Sequence, residues 1–349
     1  MLKGAIVGFG FIAAKGHHPA YLGRDDVEIV AIADVSPARL DAARAVAPNA
    51  RLYASWREVL AKEKGLDFVD VCTPPSSHAP LIGRALEHGL HVLCEKPLVR
   101  SPAELDLVRR LAAARRRVVH TVHNWHHAPI VKRAAELVRE GKVGRVSRVS
   151  WQTLRVRPAA TRDGRGVNWR LDPAVAGGGI LTDHGWHVFY VVQRWIGACP
   201  LAISARLEKR RHAALAVEDT ATVALTFPGA AAEILLTWAA DERRSWAQVT
   251  GDEGALELQD DTLVLTRGAR VERWPCPPAM SAGSTHPDWF APVVAGFVGA
   301  VTRAGDGANL TEASLCVLLE HLARESSRRG GEPLAVPPAH APAPSESSV

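Results

Sequence analysis

Residues Gly177 to Tyr190 read GGGILTDHGWHVFY, three glycines and then Asp183 and His187 four positions apart. On an α-helix that spacing puts both side chains on one face. A carboxylate beside an imidazole is a proton-transfer device, because the carboxylate orients the ring and favours its charged form. Taken alone, the segment describes a satisfied Asp–His pair in a core helix equally well. A second group tips the reading. Lys96 follows the apolar run His91 to Cys94, inside Glu95-Lys96-Pro97. Lysines are usually surface charges. Pinned by a proline at the carboxyl end of a buried strand, however, an ammonium can hydrogen-bond a hydroxyl and stabilise oxyanion character that develops on it.

Positioning these groups falls to a nucleotide-binding first half. Leu2 to Val7 is a short apolar run closed by Gly8, the pattern of a buried parallel strand. GFGFIA follows, giving Gly8-x-Gly10-x-x-Ala13 with Phe11 and Ile12 inside it. The first glycine allows a tight turn, the second lets backbone approach a pyrophosphate, and the small third residue lets the helix pack close to the strand. The helix N-terminus adds free N–H groups and its positive dipole end. A second strand, Glu28 to Ala33, ends at Asp34, placed to accept hydrogen bonds from the adenosine ribose hydroxyls. The same charge repels a 2′-phosphate, so NAD is the expected cofactor, with NADP left open by Arg39 nearby in sequence.

The alternation continues with a helix from Pro37 to Ala47, a strand near Leu52, a helix from Ser55 to Lys62 and a strand from Phe68 to Cys72. That strand ends in TPPSSH, whose two prolines force an irregular loop on the edge where open α/β sheets place ligands. Thr73, Pro74 and His78 are therefore read, with Glu95 and Lys96, as cofactor-side residues. A helix from His78 to His88, the strand His91 to Cys94 and a strand from Val118 to Val122 finish this half.

Beyond residue 122 the pattern changes. Ala128 to Glu140 is an amphipathic helix ended by Gly141, and Arg145 to Val156 alternates as a strand. Arg155, Arg157, Arg162, Arg165 and Arg170 crowd the irregular stretch that follows. They suit a clamp on a carboxylate or phosphate, or equally a solvated loop. Strand-like runs come next: Leu201 to Lys209, Thr220 to Phe227, Ala232 to Trp238, Trp246 to Thr250, Ala255 to Gln259 and Thr262 to Thr266. Their short connections imply an antiparallel sheet. Trp289 to Thr302 and Glu312 to Arg328 read as closing helices, before a proline- and serine-rich tail of disordered composition. The expected architecture is an α/β Rossmann nucleotide-binding domain (1–122), a C-terminal α+β domain with a large, mostly antiparallel open-faced sheet (123–335) and a disordered tail (336–349).

The series GxGxxA, acid-tipped strand, TPP, EKP and GGGxxxDxGxH resembles the Gfo/Idh/MocA family of nicotinamide-dependent oxidoreductases, over roughly residues 1–335. Trp169-Arg170-x-Asp172-Pro173 and Glu218-Asp219-Thr220 extend the likeness. The resemblance implies a dehydrogenase acting on a secondary alcohol of a sugar or cyclitol, with Lys96, Asp183 and His187 as catalytic residues. It also implies a substrate pocket around Asn124, Trp169, Arg170, Asp183, His184 and His187, and a dimer or tetramer formed through the C-terminal sheet. Two rivals stay open, an NAD-dependent glycosidase working by transient oxidation and a non-catalytic NAD-binding sensor. The chain departs from the family where an N-x-R-like arginine is common, having His123-Asn124-Trp125-His126-His127 instead. It also carries Tyr190 where an acid often follows the histidine by three residues.

Composition narrows the partners. With 47% hydrophobic and 23% charged residues and a formal net charge of +5, the chain reads as an ordinary soluble enzyme. Its arginine pairs are scattered and not interleaved with aromatics, so nucleic acid is not an expected partner. No apolar run reaches membrane-spanning length. Five widely spaced cysteines without a C-x-x-C pair fit free thiols in a reducing cytoplasm. The cluster His120, His123, His126 and His127 raises a metal, but no neighbouring cysteine or carboxylate in sequence completes a ligand set, so none is expected.

Overall fold

The computed structural model describes residues 1–160, 168–283, 286–303 and 307–338. Arg162, Arg165 and the tail from residue 339 onward lie outside the described residues. Six strands, β1 (Leu2–Val7), β2 (Val27–Ala33), β3 (Arg51–Tyr53), β4 (Phe68–Val71), β5 (His91–Cys94) and β6 (Val119–Thr121), form a parallel sheet in the order β3-β2-β1-β4-β5-β6. The order reverses between β1 and β4, which opens a crevice at their carboxyl ends. After β1 the chain enters a π-helical turn, Ala13–His17, that continues as α1 (His18–Tyr21). Helices α2 (Pro37–Val46), α3 (Trp56–Lys62), α4 (His78–Glu87) and α5 (Pro102–Arg115) make the remaining connections. Ser55 caps α3 by accepting the Glu58 N–H, as Ser-x-x-Glu predicts. Helix α5, which the periodicity does not single out, carries the same signature at Ser101 and Glu104.

The second sheet follows α6 (Pro129–Arg139). Its strands are β7 (Val146–Leu154), β8 (Ala202–Glu208), β9 (Thr220–Phe227), β10 (Ala230–Thr237), β11 (Arg244–Gly251), β12 (Ala255–Gln259), β13 (Thr262–Arg267), β14 (Arg270–Pro275) and β15 (Leu334–Ala335). They run in the order β14-β13-β12-β11-β7-β10-β9-β8-β15, antiparallel except for the β7–β10 pair. Between β7 and β8 lie α7 (Pro173–Ala176), a second π-helical turn at Leu181–Gly185, and α8 (Trp186–Ile196). Alternation along β9 buries Ala221, Val223, Leu225 and Phe227 and leaves Thr222, Ala224 and Thr226 exposed, so the sheet has one packed and one open face. Trp151 and Trp195, 5.5 Å apart between ring centroids, join β7 to α8 on the packed side.

Three features differ from the sequence reading. Strand β14 hides because charged residues alternate along an exposed edge, Arg270, Glu272 and Arg273 among them. Val336, expected to begin the tail, is buried, and its N–H bonds the Leu201 carbonyl at 2.9 Å. Of the two closing helices, α9 (Pro287–Thr302) belongs to the first sheet's core. Phe290 and Phe297 pack with Ile6 and Phe68, covering a face that would otherwise meet water. Helix α10 (Ala308–Arg328) runs along β8 and reaches β6, so the end of the chain ties the two sheets together.

Candidate active site

The glycine turn is built as its spacing requires. Gly8 sits at φ +90°, and a Cβ there would lie 2.9 Å from the Cys72 backbone, so both conformation and space demand glycine. Above Gly10 a Cβ would meet nothing within 4 Å, which leaves open room at the start of the helix. Asp34 is buried at the tip of β2. Its carboxylate accepts the Phe9 N–H at 2.7 Å and the Ser36 N–H at 2.8 Å, with the Arg39 guanidinium 3.6 Å away. The acid thus grips the glycine turn and retains lone pairs for ribose hydroxyls.

The loop after β4 is held from beneath. His78 is buried, and its two ring nitrogens stand 2.8 Å from the carbonyl oxygens of Pro97 and Thr73. It therefore staples the TPP loop to the EKP loop. Burial lowers its pKa, although both carbonyls favour the charged ring. Glu95 also points inward. Its Oε1 meets His17 Nε2 at 3.0 Å and its Oε2 accepts the Lys96 N–H at 2.9 Å.

Lys96 and Asp183 meet from the two halves of the chain. Lys96 Nζ donates to the Asp183 carbonyl at 2.5 Å and stands 3.4 Å from Oδ1. Asp183 Oδ2 lies 3.2 Å from His184 Nδ1. Burial alone would protonate Asp183, but His184 and Lys96 outweigh it and hold the carboxyl well below its usual range. Burial lowers the pKa of His184, against the opposing pull of Asp183.

The expectation that Asp183 orients His187 is corrected here. The π-helical turn interrupts the regular i, i+4 register, and Asp183 turns to Lys96 and His184. His187 pairs instead with Tyr190, whose hydroxyl oxygen lies 2.9 Å from Nδ1. Tyr190 also accepts the Trp125 N–H at 3.0 Å, and the Trp125 ring stacks on His187 at 4.5 Å with a 10° interplanar angle. Burial first, then the charge of Lys96, pushes the His187 pKa well below its ordinary value. Among the described residues Nε2 of His187 has no hydrogen-bond partner, which leaves that nitrogen for a ligand.

The glycines ahead of this helix answer a packing demand. A Cβ on Gly179 would fall 2.0 Å from the Glu218 carbonyl oxygen, and one on Gly178 would overlap Arg324. Arg324 in turn pairs with Glu218 at 3.1 Å. Around the cleft, Asn124 has a buried carboxamide oxygen without a hydrogen-bond partner. Arg170 stacks over Trp169 at 4.5 Å, and its charge reaches Asp183. Arg155, one of the expected clamp arginines, is buried and bonds the Leu154 and Arg244 carbonyls and Ser245, while Arg157 is exposed.

The family description "Oxidoreductase family, NAD-binding Rossmann fold" matches residues 2–123, and the Gfo/Idh/MocA C-terminal domain matches residues 131–257. The chain belongs to the Gfo/Idh/MocA family. It is 29% identical over 276 residues to D-apiose dehydrogenase of Paraburkholderia graminis, covering 74% of this chain and 68% of that one. It is 33% identical over 196 residues to D-glucoside 3-dehydrogenase of Escherichia coli, covering 54% and 52%. An inositol dehydrogenase homolog of Azotobacter vinelandii, solved with NAD+, shares the fold with a TM-score of 0.82 at 22% identity over 96% of this chain and 97% of that one. The open space above Gly10, the glycine-only turn at Gly8 and the buried Asp34 fit the NAD that this Gfo/Idh/MocA domain binds.

Two constellations escape the sequence. Beneath the nucleotide crevice, His17 Nδ1 meets Asp70 at 2.8 Å while Tyr21 donates to the same carboxylate at 2.8 Å. Burial opposes a charge on His17, but Asp70 outweighs it and raises the ring's pKa well above the ordinary value. Glu95, which burial would protonate, is kept ionised by His17. Asp70 and Glu95 are remote in sequence from the helical stretch that carries His17 and Tyr21, so no local spacing announces the network. The second constellation corrects the ligand argument for the histidine cluster. A carboxylate does complete it: Glu312 of α10 lies 2.5 Å from His123 Nδ1 and 3.0 Å from His126 Nε2. It is remote in sequence and arrives only because α10 docks on β6.

Proposed function

We propose that this Gfo/Idh/MocA oxidoreductase moves a hydride between NAD and a secondary alcohol or ketone of a sugar, cyclitol or sugar derivative. The observation that carries the reading is the meeting of Lys96 with Asp183 beside the free Nε2 of His187. The names of the relatives, which act on apiose and a glucoside, support the substrate class. When bound, NAD supplies the hydride acceptor. Gly8, Gly10, Phe11 and Ile12 would hold its pyrophosphate and Asp34 its ribose, with Thr73 and Pro74 on the side of the reacting ring. Lys96 donates a hydrogen bond to the substrate hydroxyl and steadies its developing charge. His187 takes the hydroxyl proton at Nε2, and the Tyr190 oxygen accepts the Nδ1–H that this requires. Asp183 fixes the Lys96 ammonium, and Asn124, His184, Trp169 and Arg170 line the substrate side.

This reading divides the chain near residue 122, with cofactor binding before it and substrate and subunit contacts after it. The open face of the second sheet supports a dimer or tetramer, which light scattering tests. Among the described residues no helix is long and apolar enough to cross a membrane, and the five cysteines are unpaired, which supports a cytoplasmic setting. The deciding experiment follows NADH absorbance while the protein meets NAD and a panel of inositols, aldoses and sugar acids. NADH formed with one compound and lost in Lys96→Met is the expected result. A sugar released from a glycoside without NADH would replace this reading with glycoside cleavage by transient oxidation.

A further inference from the structure

We propose that Nδ1 of His123, Nε2 of His126 and a carboxylate oxygen of Glu312 form a binding site for a divalent transition-metal ion, with zinc the best fit. The three ligand atoms lie within 4.8 Å of one another. His123 precedes, and His126 belongs to, the short 3-10 turn Asn124–His127, in which side chains three apart eclipse. That local geometry brings both rings to one side, and α10 delivers Glu312 to them.

His126 is hydrogen-bonded to Glu312, but the second ring of the cluster is left over. His123 is 3% exposed, yet neither of its ring nitrogens has a hydrogen-bond partner. Its Nδ1 lies 2.5 Å from Glu312 Oε2 without hydrogen-bond geometry, a crowded contact that an ion would part to the wider spacing of two ligands. His126 Nε2 stands 3.0 and 3.1 Å from the two carboxylate oxygens. Two imidazoles and one carboxylate make a set that zinc accepts with a fourth position for water. Magnesium and calcium, which prefer oxygen throughout, suit it poorly. The other convergent cluster, His17, Asp70 and Cys72, is closed by hydrogen bonds among its own members and to Tyr21, and serves as a control.

The place gives the ion a task. His123 and His126 pack on the Tyr190 ring at 4.4 and 4.5 Å, behind the hydroxyl that holds His187. Asn309, one turn before Glu312, already bonds the Thr121 N–H at 2.6 Å and the Thr121 carbonyl at 3.0 Å. An ion here fastens α10 to the end of β6 and stiffens the floor of the redox site, without touching substrate.

The test loads the full chain, stripped with EDTA, with zinc sulfate, removes excess by dialysis, and counts metal by mass spectrometry. A single zinc per chain and a higher Tm are expected, together with the visible absorption of four-coordinate cobalt(II) when cobalt replaces zinc. His126→Ala and Glu312→Gln should lose the metal, the Tm gain and the cobalt spectrum, while their circular dichroism stays native. Cys72→Ser should keep all three. Should Glu312→Gln not fold, His126→Ala decides alone. Wild-type protein that retains no zinc overturns the site, as does equal retention by His126→Ala or loss in Cys72→Ser.

Discussion

His17 and His187 are nearly equally buried, at 0% and 7% exposure, and each sits where a π-helical turn passes into an α-helix. Their pKa values move in opposite directions. His17 lies between Asp70 and Glu95, and the carboxylates overcome the cost of burial. His187 lies between a phenol and an indole, with the Lys96 charge nearby, and the pull of Asp183 does not offset its burial. Burial sets the same penalty on both, and the neighbours decide the protonation state. The consequence is a division of labour. A fixed cation under the crevice locks Glu95 and with it the EKP loop, while a neutral ring above it remains able to take a proton.

The largest effect should come from the residue that links the two regions. Lys96→Met removes the ammonium that bridges the EKP loop and Asp183. Its kcat should fall by ~10³-fold, with NAD affinity changed only a few-fold. Because Lys96 helps to hold His187 neutral, the acid limb of the kcat/KM profile should also move to higher pH in any residual activity. Unchanged turnover would remove Lys96 from the mechanism. His187→Ala should cost ~10²-fold in kcat, the usual range for a lost general base.

Next comes stability. His17→Gln leaves two buried carboxylates without their cation, a loss of about 3 kcal/mol in denaturant unfolding. The two histidines should also give the stability curve opposite slopes. The folded pKa of His17 is raised, so its stabilisation is complete below about 6.5 and fades as pH rises through the folded value. The folded pKa of His187 is depressed, so its cost is absent above about 6.5 and grows as pH falls below it. Tm measured against pH should lose its alkaline decline selectively in His17→Gln. A decline of the same steepness in that variant would contradict the assignment.

Much of this was legible from residues, and the gaps have physical causes. GxGxxA, Asp34 and the proline loops speak through local backbone demands, so the parallel sheet and its crevice follow from spacing. Lys96 and Asp183 were each marked by their strand end and their glycine-led helix, but their partnership was not. A π-helical turn has no composition of its own, and it alone redirects Asp183 from His187 to Lys96. The Asp70–His17–Glu95 network and Glu312 are assembled across distant segments, where only packing supplies the pairing. Tyr190 was visible as a departure from an expected acid, and its role needed coordinates.

That substitution offers the finest test of the comparison. Tyr190→Phe removes the oxygen that meets His187 Nδ1 and accepts the Trp125 N–H, leaving a buried donor unpaired at a cost of ~1–3 kcal/mol. With the ring less well oriented, kcat should drop by ~10-fold while NAD binding stays unchanged. Tyr190→Glu asks the opposite question. A carboxylate three residues beyond His187 would give it the kind of neighbour His17 has, and its pKa, followed by NMR, should rise from its depressed value. A ring that stays neutral beside the new carboxylate would mean that Lys96 and burial, not the missing acid, set its charge.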